Sequence, residues 1–151
     1  MKSQIPFSQL KRMIIESLMA EDKSEIQGLE HYSENEIKKM IVDQVFDRID
    51  AAGVSPSEFS LMGVAIFGSR NRGTGREDSD LDAVIEYSGT MREDDVFNIL
   101  HDEDYEYGTM EIDGIPVDVN PIREQESGSM GNFLKKSKEY DRQQIEKELH
   151  R

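Results

Sequence analysis

The hydrophobic period of this chain changes once, and that change limits the fold more than any other feature. Up to about residue 55 the apolar side chains recur at helical spacing. Leu10, Met13, Ile14 and Leu18 predict an amphipathic helix from Ser8 to Ala20. Ile37, Met40, Ile41, Val45 and Ile49 trace one face of a second helix. Ser33 and Glu36 stand at capping-box spacing before it, and Gly53 supplies its stop. Beyond the Ser55-Pro56-Ser57 turn the pattern shifts to strands. Val64 to Phe67 is a continuous apolar run ended by Gly68, and residues 70–79 are a polar, Gly-containing loop. From Asp80 to Tyr87 the chain alternates, with Leu81, Ala83 and Ile85 on one face and Asp80, Asp82, Val84 and Glu86 on the other. Residues 93–101 carry the stripe Val96, Ile99, Leu100 of a short helix. Two further strands, Glu106 to Ile112 and Ile115 to Asn120, flank Asp113-Gly114, a strong hairpin signal. A charged helical pattern runs from Asn132 to Leu149.

Helices, then strands with one helix among them, then a helix, predict an α+β fold. Its sheet is small and mixed or antiparallel, flanked by helices, with an N-terminal helical extension. The expected division is 1–55 for the extension and 56–151 for the strand-bearing domain with its C-terminal helix. The two pack as one compact unit, since 151 residues is the usual size of a single domain.

Charge narrows the function. The chain carries 18 Lys and Arg against 32 Asp and Glu, a net charge of −14. So acidic a chain is not expected to bind nucleic acid by general phosphate attraction, nor to dock on an anionic membrane. With no cysteine there is no disulfide, no thiolate zinc site and no thiol nucleophile. The opening MKSQIPFSQLKRMII lacks an apolar signal core and no run approaches a membrane span, so a soluble cytoplasmic protein is expected. The acidity is uneven: residues 63–120 hold 15 acidic and 4 basic side chains, and three of those four, Arg70, Arg72 and Arg76, form an island in one loop. The Lys135-Lys136-Lys138 cluster reads as a solvated helix face.

Several motifs begin and fail. Gly68 to Gly73 has P-loop glycine spacing, but Thr74 stands where the phosphate-gripping lysine belongs. Gly73-Thr74-Gly75 opens like a dinucleotide fingerprint, but Asp78 occupies the third glycine position. Asp78, Asp80 and Asp82 open like an EF-hand loop, which fails at Ala83 and again at Gly89. His31, His101 and His150 have no ligand-like spacing and read as surface residues.

One constellation survives. Asp80 and Asp82 lie two apart on a predicted strand, so both carboxylates share a face and repel unless a cation sits between them. Asp118 lies on another strand, turned away from the core-facing Ile115, Val117 and Val119. If those strands are neighbours, three carboxylates converge. Such an all-oxygen set suits Mg²⁺ or Mn²⁺, ions that keep open positions for substrate phosphates. Gly68-Ser69, where a strand meets a loop, can bring backbone N–H groups and a hydroxyl to an anion, and the arginines add bidentate donors.

Gly68-Ser69, ten intervening residues and Asp80-Leu81-Asp82 resemble the GSx10DxD signature of the DNA polymerase β-like nucleotidyltransferase superfamily. The run FGSRNRGTGREDSDLD is similar to its minimal nucleotidyltransferase branch, and Asp118 in IPVDVN matches the downstream carboxylate. The resemblance covers about residues 60–122. It departs at Gly75, where relatives often have Ala. It implies Asp80 and Asp82 as Mg²⁺ ligands, Asp118 as a third ligand or as the acceptor's base, and Gly68, Ser69, Arg70 and Arg72 as nucleotide contacts. It further implies an active enzyme that moves AMP from ATP to a hydroxyl. The acceptor would be a basic HEPN-type toxin encoded nearby, as in antitoxins of this branch, or a cationic antibiotic. The remaining alternative is a binding module that neutralises its partner by contact alone.

Overall fold

The computed structural model describes residues 23–72 and 79–149. The helix expected from Ser8 to Ala20 lies outside them. The first described helix, α1, spans Glu34–Ala51 and starts as the sequence predicts. The Glu36 backbone N–H donates to Ser33 Oγ at 3.1 Å, and the Ser33 N–H donates to Glu36 Oε1 at 3.2 Å. Two N–H groups that a helix start leaves unpaired are thereby satisfied. Ile37, Ile41, Val45 and Ile49, four apart, form its buried stripe.

Strand β1 covers Ser60–Phe67 and is longer than the apolar run suggests. Its first half is irregular. The register with the next strand slips between Leu61 and Gly63, and Met62 is left exposed there. A single turn of helix, α2 (Ser69–Arg72), stands where a loop was expected. Strand β2 (Leu81–Ser88) follows, then α3 (Glu93–Leu100). Strand β3 shrinks to Glu111–Ile112; the rest of the expected strand from Glu106 is turn, bend and irregular chain. Asp113-Gly114 makes the predicted hairpin turn into β4 (Ile115–Ile122), and α4 (Met130–Leu149) closes the described chain.

The sheet order is β1-β2-β4-β3. β1 runs antiparallel to β2, β2 parallel to β4, and β4 antiparallel to β3, so the sheet is mixed. The parallel pair needs a crossover, which α3 provides. One sheet face carries the main core: Leu81, Ala83, Ile85, Val117 and Val119 pack with the α1 stripe and with Val96 and Leu100 of α3. Residues on both sides of position 55 share this core. The other face is smaller: Ala65, Val84 and Ile122 pack against Phe67, Met130, Phe133 and Leu134. No helix among the described residues is long and apolar enough to cross a membrane.

A polar network fastens the far ends of the elements. Glu126 Oε2 accepts the Glu93 N–H at the start of α3 (2.7 Å) and Arg123 Nε–H (2.8 Å). Arg123 Nη1 donates to Gly89 O at 3.0 Å. The Arg123 hydrogen bond, reinforced by the Glu93 N–H, holds the Glu126 carboxyl below the usual carboxylate range. Its stabilising contribution is therefore present above the unfolded-state value and lost as pH falls through the lower folded one. Glu126→Gln is expected to flatten the acid limb of a melting-temperature-versus-pH profile and to leave the limb above neutrality unchanged; parallel acid limbs would refute this. Nearby, burial pushes the Tyr87 phenol up to about 12, and its hydroxyl donates to Met91 O at 2.6 Å.

Candidate active site

Three strands bring the site together at one end of the sheet. In the β1–β2 register Phe67 is opposite Asp82, and in the β2–β4 register Asp82 is opposite Asp118. Phe67, Asp82 and Asp118 thus form one row across the sheet, on the face that α4 covers. α4 begins where its Met130 N–H donates to Glu86 Oε1 at 2.8 Å. It reaches Phe67 through Phe133, whose ring meets the Phe67 ring edge-on at 5.0 Å. The carboxylates therefore lie beside an apolar wall at the open end of that face.

Asp82 is half-buried, whereas Asp80 and Asp118 are exposed. Asp80 immediately precedes β2, two residues before Asp82. Among the described residues no group of three or more His, Cys, Asp or Glu side chains is drawn close enough to hold a metal ion as it stands. The donor set, all oxygen with two carboxylates in direct register, has the chemistry that Mg²⁺ or Mn²⁺ requires.

Gly68 touches this row. Its φ is +85°, and a Cβ built on it would stand 2.3 Å from Asp82 Oδ2. Only a residue without a side chain lets the turn after β1 lie against the carboxylate. Ser69 opens α2 and Arg72 closes it, so both belong to the turn that follows Gly68. Arg76 lies outside the described residues.

Arg70, expected from the sequence as a nucleotide contact, follows Ser69 in the same turn. Its side chain points inward and is only 3% exposed. Nε–H donates to Ser79 O and Nη1–H to Gln27 O, each at 2.8 Å. Two of its donors are thus committed to backbone carbonyls.

The structure adds a residue that spacing did not reveal. His101 caps the end of α3, and its ring stacks on Phe97 at 3.8 Å. Nδ1 stands 2.9 Å from Phe97 O, and Nε2 stands 2.9 Å from Asp118 Oδ1. Both ring nitrogens face oxygen acceptors, so the Asp118 contact is a hydrogen bond only when a proton lies between the two side chains. The surface reading of His101 is corrected accordingly: its side chain is 28% exposed and contacts the carboxylate row at Asp118. The one local signal was its place directly after the apolar stripe of α3, which turns it toward β4. His31 is exposed and pairs with Asp113 at 3.0 Å, away from the row. His150 lies outside the described residues.

A family model described as a nucleotidyltransferase domain matches residues 56–148. No curated protein and no solved structure matches the chain.

Proposed function

Because this chain belongs to the nucleotidyltransferase domain family of the DNA polymerase β-like superfamily, we propose that it is a metal-dependent enzyme that transfers AMP from ATP to a hydroxyl acceptor. The observation that carries this reading is the in-register pair Asp82 and Asp118 beside the Gly68 turn. Asp80, Asp82 and Asp118 would hold Mg²⁺ or Mn²⁺. When bound, the ion neutralises charge developing on the phosphoryl oxygens. The Gly68 and Ser69 turn amides and the Arg72 side chain would position the triphosphate. The acceptor hydroxyl attacks the α-phosphorus and pyrophosphate leaves. Asp118 would serve either as that third ligand or as the base that takes the hydroxyl proton, and His101 Nε2 stands 2.9 Å from its Oδ1.

The acceptor we propose is a basic protein partner, of the HEPN type that minimal nucleotidyltransferases accompany, which gives this chain an antitoxin role. Support comes from the FGSRNRGTGREDSDLD loop and from the net charge of −14, which attracts a basic surface.

The test is thermal unfolding with Mg²⁺ and each ribonucleoside triphosphate in turn. At roughly one hundred times Kd, a bound nucleotide stabilises by about 2.7 kcal/mol, an upward shift of about 5–10 °C for a chain of this size. A shift with ATP alone is expected. No shift with any of the four would favour a module that acts by contact without catalysis.

A further inference from the structure

We propose that Arg70 is a positioning residue that staples the two ends of the Gly-Ser-to-Asp-x-Asp loop to each other and to a strap from the N-terminal segment. The proposal rests on the reading of Asp80 and Asp82 as metal ligands for its functional consequence, though not for its geometry.

The loop leaves the sheet at Gly68-Ser69 and returns at Asp80. Arg70 follows the first end by one residue, and Ser79 precedes the second by one. The Arg70 Nε–H bond to Ser79 O, at 2.8 Å, therefore closes the loop at its neck. Nη1 reaches the other way, to Gln27 O at 2.8 Å, and the Gln27 N–H donates back to Arg70 O at 3.1 Å. One buried guanidinium thus joins both ends of the loop to a segment 43 residues away.

The strap is built to receive it. Ile26 and Leu29 are buried in the main core on either side of Gln27. Gly28 has φ +89°, and a Cβ there would lie 2.8 Å from Arg70 Nη1 and 2.9 Å from Ile115 Cδ1. Glycine leaves the passage through which the guanidinium reaches the carbonyl. Further along, Tyr32 Oη–H donates to Asp113 Oδ1 at 3.2 Å, which ties the strap to the turn that leads into β4 and Asp118. The strap therefore spans from the Gly-Ser turn to the strand of the third carboxylate. Lysine cannot replace arginine here, since the two carbonyls lie in different directions and need the planar fork.

Two variants, Arg70→Lys and Gly28→Ala, test this in the full chain without ligand and then with Mg²⁺ and ATP. Arg70→Lys should accelerate hydrogen exchange of the Gln27 amide about tenfold, the loss of one charge-assisted hydrogen bond. Gly28→Ala, which puts a methyl into the guanidinium's passage at a φ of +89° and against Ile115, should reproduce or exceed that change. Both should weaken Mn²⁺ binding, and ATP and AMP affinity by the same factor, because the neck and not a phosphate contact is lost. Exchange and ligand-free melting temperature unchanged in Arg70→Lys, with ATP affinity falling far more than AMP affinity, would overturn the proposal and make Arg70 a phosphate ligand. Faster exchange in a protein whose wild type transfers no nucleotide would keep the staple and discard the catalytic reading.

Discussion

Replacing Asp80 and Asp82 together with asparagine is expected to abolish nucleotidyl transfer and leave the fold intact. Asparagine keeps the shape of each side chain and removes its charge. Asp80 is exposed and Asp82 half-buried, and neither belongs to the apolar core, so little packing is disturbed. Without ligand the double variant should still unfold in one cooperative transition, so that a loss of transfer reads as a loss of chemistry and not of fold. Its transfer rate with labelled ATP and Mg²⁺ should fall at least about a thousandfold, some 4 kcal/mol of lost charge stabilisation. Undiminished transfer would remove these carboxylates from the reacting centre.

Gly68→Ala should produce the second large effect, of a different kind. The new methyl is asked to occupy space 2.3 Å from Asp82 Oδ2 and 3.1 Å from Asp82 Cβ and Cγ, at a φ of +85°. The backbone cost of a non-glycine residue there is about 1 kcal/mol, which denaturant unfolding will register as a modest fall in midpoint. The larger loss should be in transfer, because the Asp82 side chain is what the new methyl meets and must displace. A fall in rate of about a hundredfold or more is expected, from misplacement of a ligand by about 1 Å. Equal, small losses in stability and rate would show that Asp82 need not lie against this turn.

Much of the fold was legible because it is written in local chemistry. Ser33 and Glu36 are close in sequence and close in space, so the start of α1 could be read directly. The same holds for the Asp113-Gly114 turn, the alternation of β2 and the stop after Phe67. The lengths of the strands were less legible. β1 extends back to Ser60 because β2 offers it a partner over that length, and β3 is cut to Glu111–Ile112, the two residues that pair with β4. Pairing is a property of two strands, and neither one alone records it.

The candidate site divides along the same line. The spacing from Gly68-Ser69 to Asp80 and Asp82, a strand-end turn followed by two carboxylates on one face, is local, and it led to the family to which the chain belongs. Three things required the tertiary structure. Asp118 meets Asp82 only because β4 inserts beside β2 in parallel, with α3 as the crossover. His101 reaches Asp118 only because that crossover ends over β4. Arg70 turns inward to where Gln27 and Ser79, 43 and 9 residues away, present carbonyl oxygens to it. Sequence by itself determined which chemical groups are available and how neighbours along the chain are oriented. Which of them meet, and whether an arginine faces the cleft or the interior, depended on long-range pairing and burial, forces that act only once distant segments share one core.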